Sequence, residues 1–269
     1  MTIAINLNDD LAAIRELPSS IYDDVGKLIV NRRGNTPDSF MVTERIAGHT
    51  LPSHTYEIKA GKITPVSNVS TKQAPLPQPK TPPHVVFSGN WDKTESITNT
   101  NATILGGLAT LSLDIDNLDI PEAPATSEFL AYYGAHLLAE GDLFTLDGDE
   151  PLPISVMNIG SDYVNGYLLN PFDGGGAYLE NHDRPHLHMP LTPDAKGHLI
   201  LASRDGDVYN MTAFSIPYGF AVYTSPHVLH DDAFLIGRYM VIYSVTDKYS
   251  TVLLRNKSGK VVTTKVIQG

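Results

Sequence analysis

The chain has 269 residues, 42% apolar and 18% charged, with 21 glycines and 19 prolines, the balance of a folded, turn-rich protein with material for a sizeable core. A formal charge of -11 with no local basic stripe repels phosphate backbones and anionic lipid, which argues against nucleic acid or a membrane surface as partner. The absence of cysteine removes disulfides, thiolate chemistry and cysteine-held zinc together, so any metal must be held by His, Asp or Glu.

Asp9 and Asp10 stand where a secretory leader would be apolar, and no apolar run nears the ~18 residues of a membrane span, so a cytoplasmic location is expected. Asn8 caps Leu11, Ile14 and Leu17 at helical spacing, and Ser20 caps Ile21, Val25, Leu28 and Ile29, giving two opening helices. Five of the nine residues from Pro75 to Pro83 are proline, which makes that stretch an extended strap and not a strand. Residues 1–84 therefore read as a helical arm and proline-rich strap, which could pair copies of the chain into a homo-oligomer.

From residue 85 onward the pattern is β. Leu111, Leu113 and Ile115 alternate with Ser112, Asp114 and Asp116, which predicts a strand with one wet face. A helix is expected near 126–139, where Phe129, Leu130, Tyr133, Leu137 and Leu138 follow a Thr126/Ser127 cap and Gly141 closes the segment. Short strands come next at 154–159, 164–169, 186–189, 198–202, 211–216, 220–224, 238–245, 252–255 and 261–266, with reversals at Gly174-Gly175-Gly176 and Lys257-Ser258-Gly259. Strands without βαβ alternation predict an antiparallel sandwich or barrel.

Six of the ten histidines lie between 182 and 230. Residues two apart on a strand share a face, so His186 and His188 present two imidazoles side by side, with Leu187 turned into packing. A third ligand must come from another strand. Pro217-Tyr218-Gly219 turns the chain into a strand that leads to His227 and His230, which are three apart and so face opposite ways. His230 is the better third ligand, because Asp231 beside it offers a carboxylate to orient the ring, and His227 stays the alternative. His182 and His198 lack this paired context and read as solvated or structural, and the acidic turn at Asp147, Asp149 and Glu150 lacks calcium-loop spacing. Gly174-Gly175-Gly176 precedes a β-like segment, not a helix, so it is no phosphate loop.

These residues resemble the cupin superfamily, whose motifs place a His-x-His on a strand after a glycine and a Pro-x-Gly before a later histidine. The matching positions are Gly176, His186-Leu187-His188, Pro217-Tyr218-Gly219 and then His227 or His230, about a quarter of the chain. Thr192 and Pro193 stand where the family carries its glutamate. The resemblance implies a mainly β fold, a cupin-type double-stranded β-helix or jelly-roll barrel over 85–269 with a few peripheral helices. Residues 180–245 are loosely similar to the ureidoglycolate lyase group through Met189-Pro190, Leu199-Ile200-Leu201-Ala202, Ala213-Phe214, Gly219 and Tyr223.

The same resemblance implies one divalent metal ion (Zn, Mn, Fe or Ni) on His186, His188 and His230 or His227, acting on a small polar hydroxy-acid or sugar-like substrate. Arg184 would bind the substrate carboxylate, and Glu180, Asp183 or Tyr223 would move a proton in a lyase-type elimination. A sugar isomerase or epimerase, an iron dioxygenase and a non-catalytic small-molecule-binding cupin are the rival readings.

Overall fold

The computed structural model describes residues 40–67, 73–92, 107–160, 178–243 and 250–269, with Asn31–Arg33 and the single positions Pro18, Thr246 and Lys248. The two opening helices, the strand at 164–169 and Gly174-Gly175-Gly176 lie outside the described residues. The first strands are β1 (Asn31–Arg33), β2 (Phe40–His49), β3 (Thr55–Lys59), β4 (Lys62–Ser67), β5 (Val85–Asp92), β6 (Gly107–Leu113) and β7 (Asn117–Pro124). Helix α1 (Ser127–Tyr132) is followed by β8 (Ala135–Ala139), β9 (Leu143–Phe144), β10 (Pro153–Asn158), β11 (Tyr178–Asn181) and β12 (His186–Pro190). The remainder is β13 (Lys196–Gly197), β14 (Leu199–Asp205), β15 (Val208–Ser215), β16 (Phe220–Thr224) and β17 (Leu229–Asp231). The chain ends with β18 (Leu235–Ile236), β19 (Arg238–Ile242), β20 (Ser250–Asn256) and β21 (Thr263–Ile267).

The protein is mainly β, as its patterning predicts. One sheet runs β14-β17-β11-β20-β6-β5-β15, and a further β14–β15 pairing closes those seven strands into a mixed barrel, with β7 and β21 added at its side. All seven strands feed one apolar cluster that includes Phe87, Leu111, Leu179, Ile200, Met211, Leu229 and Leu254, which fills the barrel. A second sheet, β1-β2-β10-β19-β12-β16-β8, packs against the barrel wall through Val222, Tyr239 and Val241, which meet Tyr178, Leu201, Phe214 and Leu253. Its other face carries Leu187, Met189, Tyr223 and Ile242, covered by Tyr56, Ile58 and Phe144 of the small β4-β3-β9 sheet. The layers thus alternate: barrel interior, inter-sheet layer, outer layer.

Two sequence expectations change. The helix expected near 126–139 stops at Tyr132, because Gly134 takes a left-handed φ of 78° and turns Ala135–Ala139 into β8, paired with β16. Thr126 is its N-cap, accepting from the Phe129 N–H. Within the expected arm, residues 40–67 form β2, β3 and β4, and β2 pairs with β10 inside the second sheet, so this part is a wall of the fold. The strap at 75–83 forms no strand, consistent with its prolines. Gly219, with φ 91°, makes the expected turn into β16, closed by a Phe220 N–H to Pro217 carbonyl hydrogen bond of 3.2 Å. Among the described residues no helix is long and apolar enough to cross a membrane.

Candidate metal centre

Strand alternation assembles the site. On β11, Leu179 faces the barrel interior, so Glu180 leaves on the other face with Tyr178, into the inter-sheet layer. On β17, Leu229 faces inward and His230 outward, and the β11–β17 register sets Glu180 directly opposite His230. The link from β11 to β12 crosses from the barrel wall to the facing sheet, and His182 lies at its start. On β12, Leu187 and Met189 face the outer layer, so His186 and His188 turn back toward the barrel wall. The histidines therefore meet from opposite sides of one layer.

Glu180, His182, His186 and His230 each bring one ligand atom to within 4.8 Å of all the others. His230 Nε2 lies 2.9 Å from His186 Nδ1, 3.3 Å from His182 Nε2 and 3.3 Å from Glu180 Oε2. All four residues are buried, none more than 7% exposed. The Nδ1–H of His230 donates to the Val228 carbonyl at 2.8 Å, which leaves Nε2 as a bare lone pair pointing at the other three atoms. Such a lone pair cannot face a carboxylate oxygen in a dry layer without a proton or a cation between them. A tetrahedral ion bound at ~2.1 Å would need ligand–ligand edges of about 3.4 Å, close to the separations found. The donor set fits a metal, and these four side chains could hold one.

Electrostatics divide the three rings. Burial, reinforced by the neighbouring His230, drives the His182 pKa down to about 3, and burial with three surrounding imidazoles puts His186 well below its usual value. Both rings are neutral near pH 7. At His230 burial also disfavours charge, but the Glu180 carboxylate and the Val228 carbonyl outweigh it and raise the pKa.

The other expected site residues divide. His188 is buried beside the group, its ring 5.7 Å from that of His186, and Nε2 is 3.5 Å from Asp232 Oδ2, which places it next to the four and not among them. His227 is exposed, as its spacing from His230 requires; it acts through its backbone, donating N–H to the His182 carbonyl at 2.8 Å. Asp231 does not orient His230, because successive strand residues leave on opposite faces. Its Oδ1 accepts from the Ala233 N–H at 2.7 Å, and burial raises its pKa well above the carboxylate range. The aspartate beside a histidine of this layer is Asp232, which lies next to His188 and also accepts from Tyr178 at 2.8 Å.

Asp183 accepts from Thr246 at 2.7 Å and pairs with Arg184 at 3.2 Å and Lys248 at 3.5 Å, outside the group. Arg184 is held by Asp183 and by Glu150 at 2.9 Å, so its charge is already neutralised. Tyr223 is on the wrong face of β16: its hydroxyl donates to Asp147 Oδ2 at 2.6 Å in the outer layer. Glu180, expected as a proton carrier, stands in the group as a ligand candidate, and so does His182, expected to be solvated or structural. The sequence does carry a signal for it: Glu180-x-His182 is a two-residue spacing of the kind that singles out His186-x-His188.

Searches for relatives return no matching family model, no matching curated protein and no matching solved structure. A closed mixed barrel beside a buried His/Glu cluster is compatible with a cupin-like jelly roll.

Proposed function

We propose that this chain is a divalent-metal enzyme of cupin type, holding one ion on Glu180, His182, His186 and His230 and acting on a small polar hydroxy-acid or sugar-like substrate, with elimination as the favoured reaction. The observation that carries this reading is the convergence of three imidazole nitrogens and a carboxylate oxygen within 4.8 Å in a buried layer. A bound ion supplies Lewis acidity toward a substrate oxygen. The neutral rings of His182 and His186 present their lone pairs, and the Val228 carbonyl fixes the tautomer of His230. His188, with Asp232 3.5 Å away, is the imidazole–carboxylate pair beside the group that would move a proton in the elimination.

A second reading has its own support. All four residues are buried, the arrangement of a structural ion closed off in a non-catalytic barrel. Tag-free protein analysed for metal beside a His186→Ala/His230→Ala variant tests both readings. About one equivalent in the parent and none in the variant is expected. Equal, negligible metal in both sinks the metal reading. Anaerobic turnover of hydroxy acids by the loaded parent favours the lyase, whereas bound metal without turnover of any substrate favours the structural ion.

A further inference from the structure

Beside the histidine cluster lies a cavity of about 340 Å³ whose walls include Trp91, Asn181, Ser203, Arg204, His227 and Leu229. In a chain of net charge -11 its lining contains an arginine and a histidine and no carboxylate. Two buried polar atoms of this lining, the Trp91 indole Nε1 donor and the Asn181 Oδ1 acceptor, have no hydrogen-bond partner among the described residues. The Arg204 guanidinium stands 5.4 Å from the Trp91 ring centre and 5.6 Å from that of Tyr209, within cation–π range of both. Its Nε–H donates to the Gly206 carbonyl at 2.7 Å, while its Nη2 reaches Asp207 only at 4.0 Å.

The same cavity wall aims the candidate metal ligands. Asn181 sits between Glu180 and His182, and Val228, also in the lining, carries the carbonyl that holds His230. His227 occupies a left-handed backbone with φ 67°, a conformation costly for a residue with a Cβ, and its N–H donates to the His182 carbonyl. The cavity lining thus includes residues next to Glu180 and His182 in the chain and the residue whose carbonyl holds His230.

We propose that this cavity is a binding site for a small hydroxy-carboxylate. Arg204 receives the carboxylate, and the Trp91 indole N–H and the Asn181 amide oxygen serve as donor and acceptor for the hydroxyl. Arg204 thereby takes the role expected of Arg184, whose charge is bound up with Glu150 and Asp183. That the bound molecule is the substrate rests on the metal-enzyme reading; the binding itself does not.

Trp91 is the single tryptophan of the chain, so its fluorescence reports on this cavity alone. Titration with malate and glycolate should give a saturable change, glycerol none, and Arg204→Gln should weaken malate binding about tenfold or more, with Arg204→Lys retaining more than the glutamine variant. Arg204 has a side chain 40% exposed, so these variants leave the core intact. No saturable change, a response to inorganic phosphate without one to malate, or equal affinity in Arg204→Gln overturns the proposal. Repeating the titration on chelator-treated protein separates the two ideas. Saturation there, with no metal in the untreated protein, keeps the carboxylate site and removes the metal enzyme; bound metal with no carboxylate response does the reverse.

Discussion

The two faces of β12 differ in what they are for. Leu187 and Met189 enter the outer layer against Tyr56, Phe144 and Ile242, buried and apolar, where every contact adds to packing. His186 and His188, one residue out of phase and as fully buried, enter a layer where His186 Nε2 and both His188 nitrogens have no hydrogen-bond partner among the described residues. Burying polar groups in that state costs free energy that the same volume of leucine would not. A five-residue strand with one face built for stability and one held against it is the pattern expected of a binding site.

The largest break in that comparison comes from exchanging the two chemistries. His186→Leu should abolish metal binding yet leave the metal-free protein about as stable as the parent or more so, since it removes a buried ring whose Nε2 has no hydrogen-bond partner among the described residues, at similar volume and for one lost contact to His230. Leu187→Ala should do the opposite, retaining metal while losing about 2–5 kcal/mol. Denaturant melts of chelated protein beside metal analysis read both, and a strongly destabilised His186→Leu would mean that His186 is a packing residue after all.

The comparison sharpens with pH. An unfolded His182 binds its proton below about 6.5, but the folded one only near 3, so between those values the unfolded state holds more protons and folding weakens as pH falls. His186 is shifted the same way, while buried Asp231, with its raised pKa, opposes both over part of that range. In chelated protein stability should therefore decline from pH 6.5 downward. Leu187→Ala should run parallel to the parent and His186→Leu should decline less steeply. Parallel curves for all three would show that His186 keeps an ordinary pKa.

Parity explains both what was legible in the sequence and what was not. His186-x-His188 and the Pro217-Tyr218-Gly219 turn could be read because each is local: a two-residue period and a turn whose third residue must be glycine. The longer described strands from Pro153 onward were legible for the same reason, whereas β11 and β17, which carry Glu180 and His230, are too short to show a period and were not. Glu180 facing His230 is a register between strands fifty residues apart, and nothing in the local pattern announces it. Tyr223 failed as a catalytic candidate because being on the right strand says nothing until its face is known, and the alternation of Val222 and Tyr223 decides that against it.

Tyr223 gives the smallest effect and the cleanest check on which face is which. Its hydroxyl donates to Asp147 Oδ2 at 2.6 Å and accepts the Asp147 N–H at 3.1 Å, tying the Asp147 turn to the outer layer; burial pushes its pKa up, so it stays a neutral donor. Tyr223→Phe keeps the ring in the apolar cluster and loses only those bonds, for about 1–2 kcal/mol, Asp147 being able to turn to water. Metal content and turnover per folded chain should not move. A large fall in turnover at unchanged stability would instead put Tyr223 in the chemistry, and the side-chain alternation along β16 would then have to be wrong.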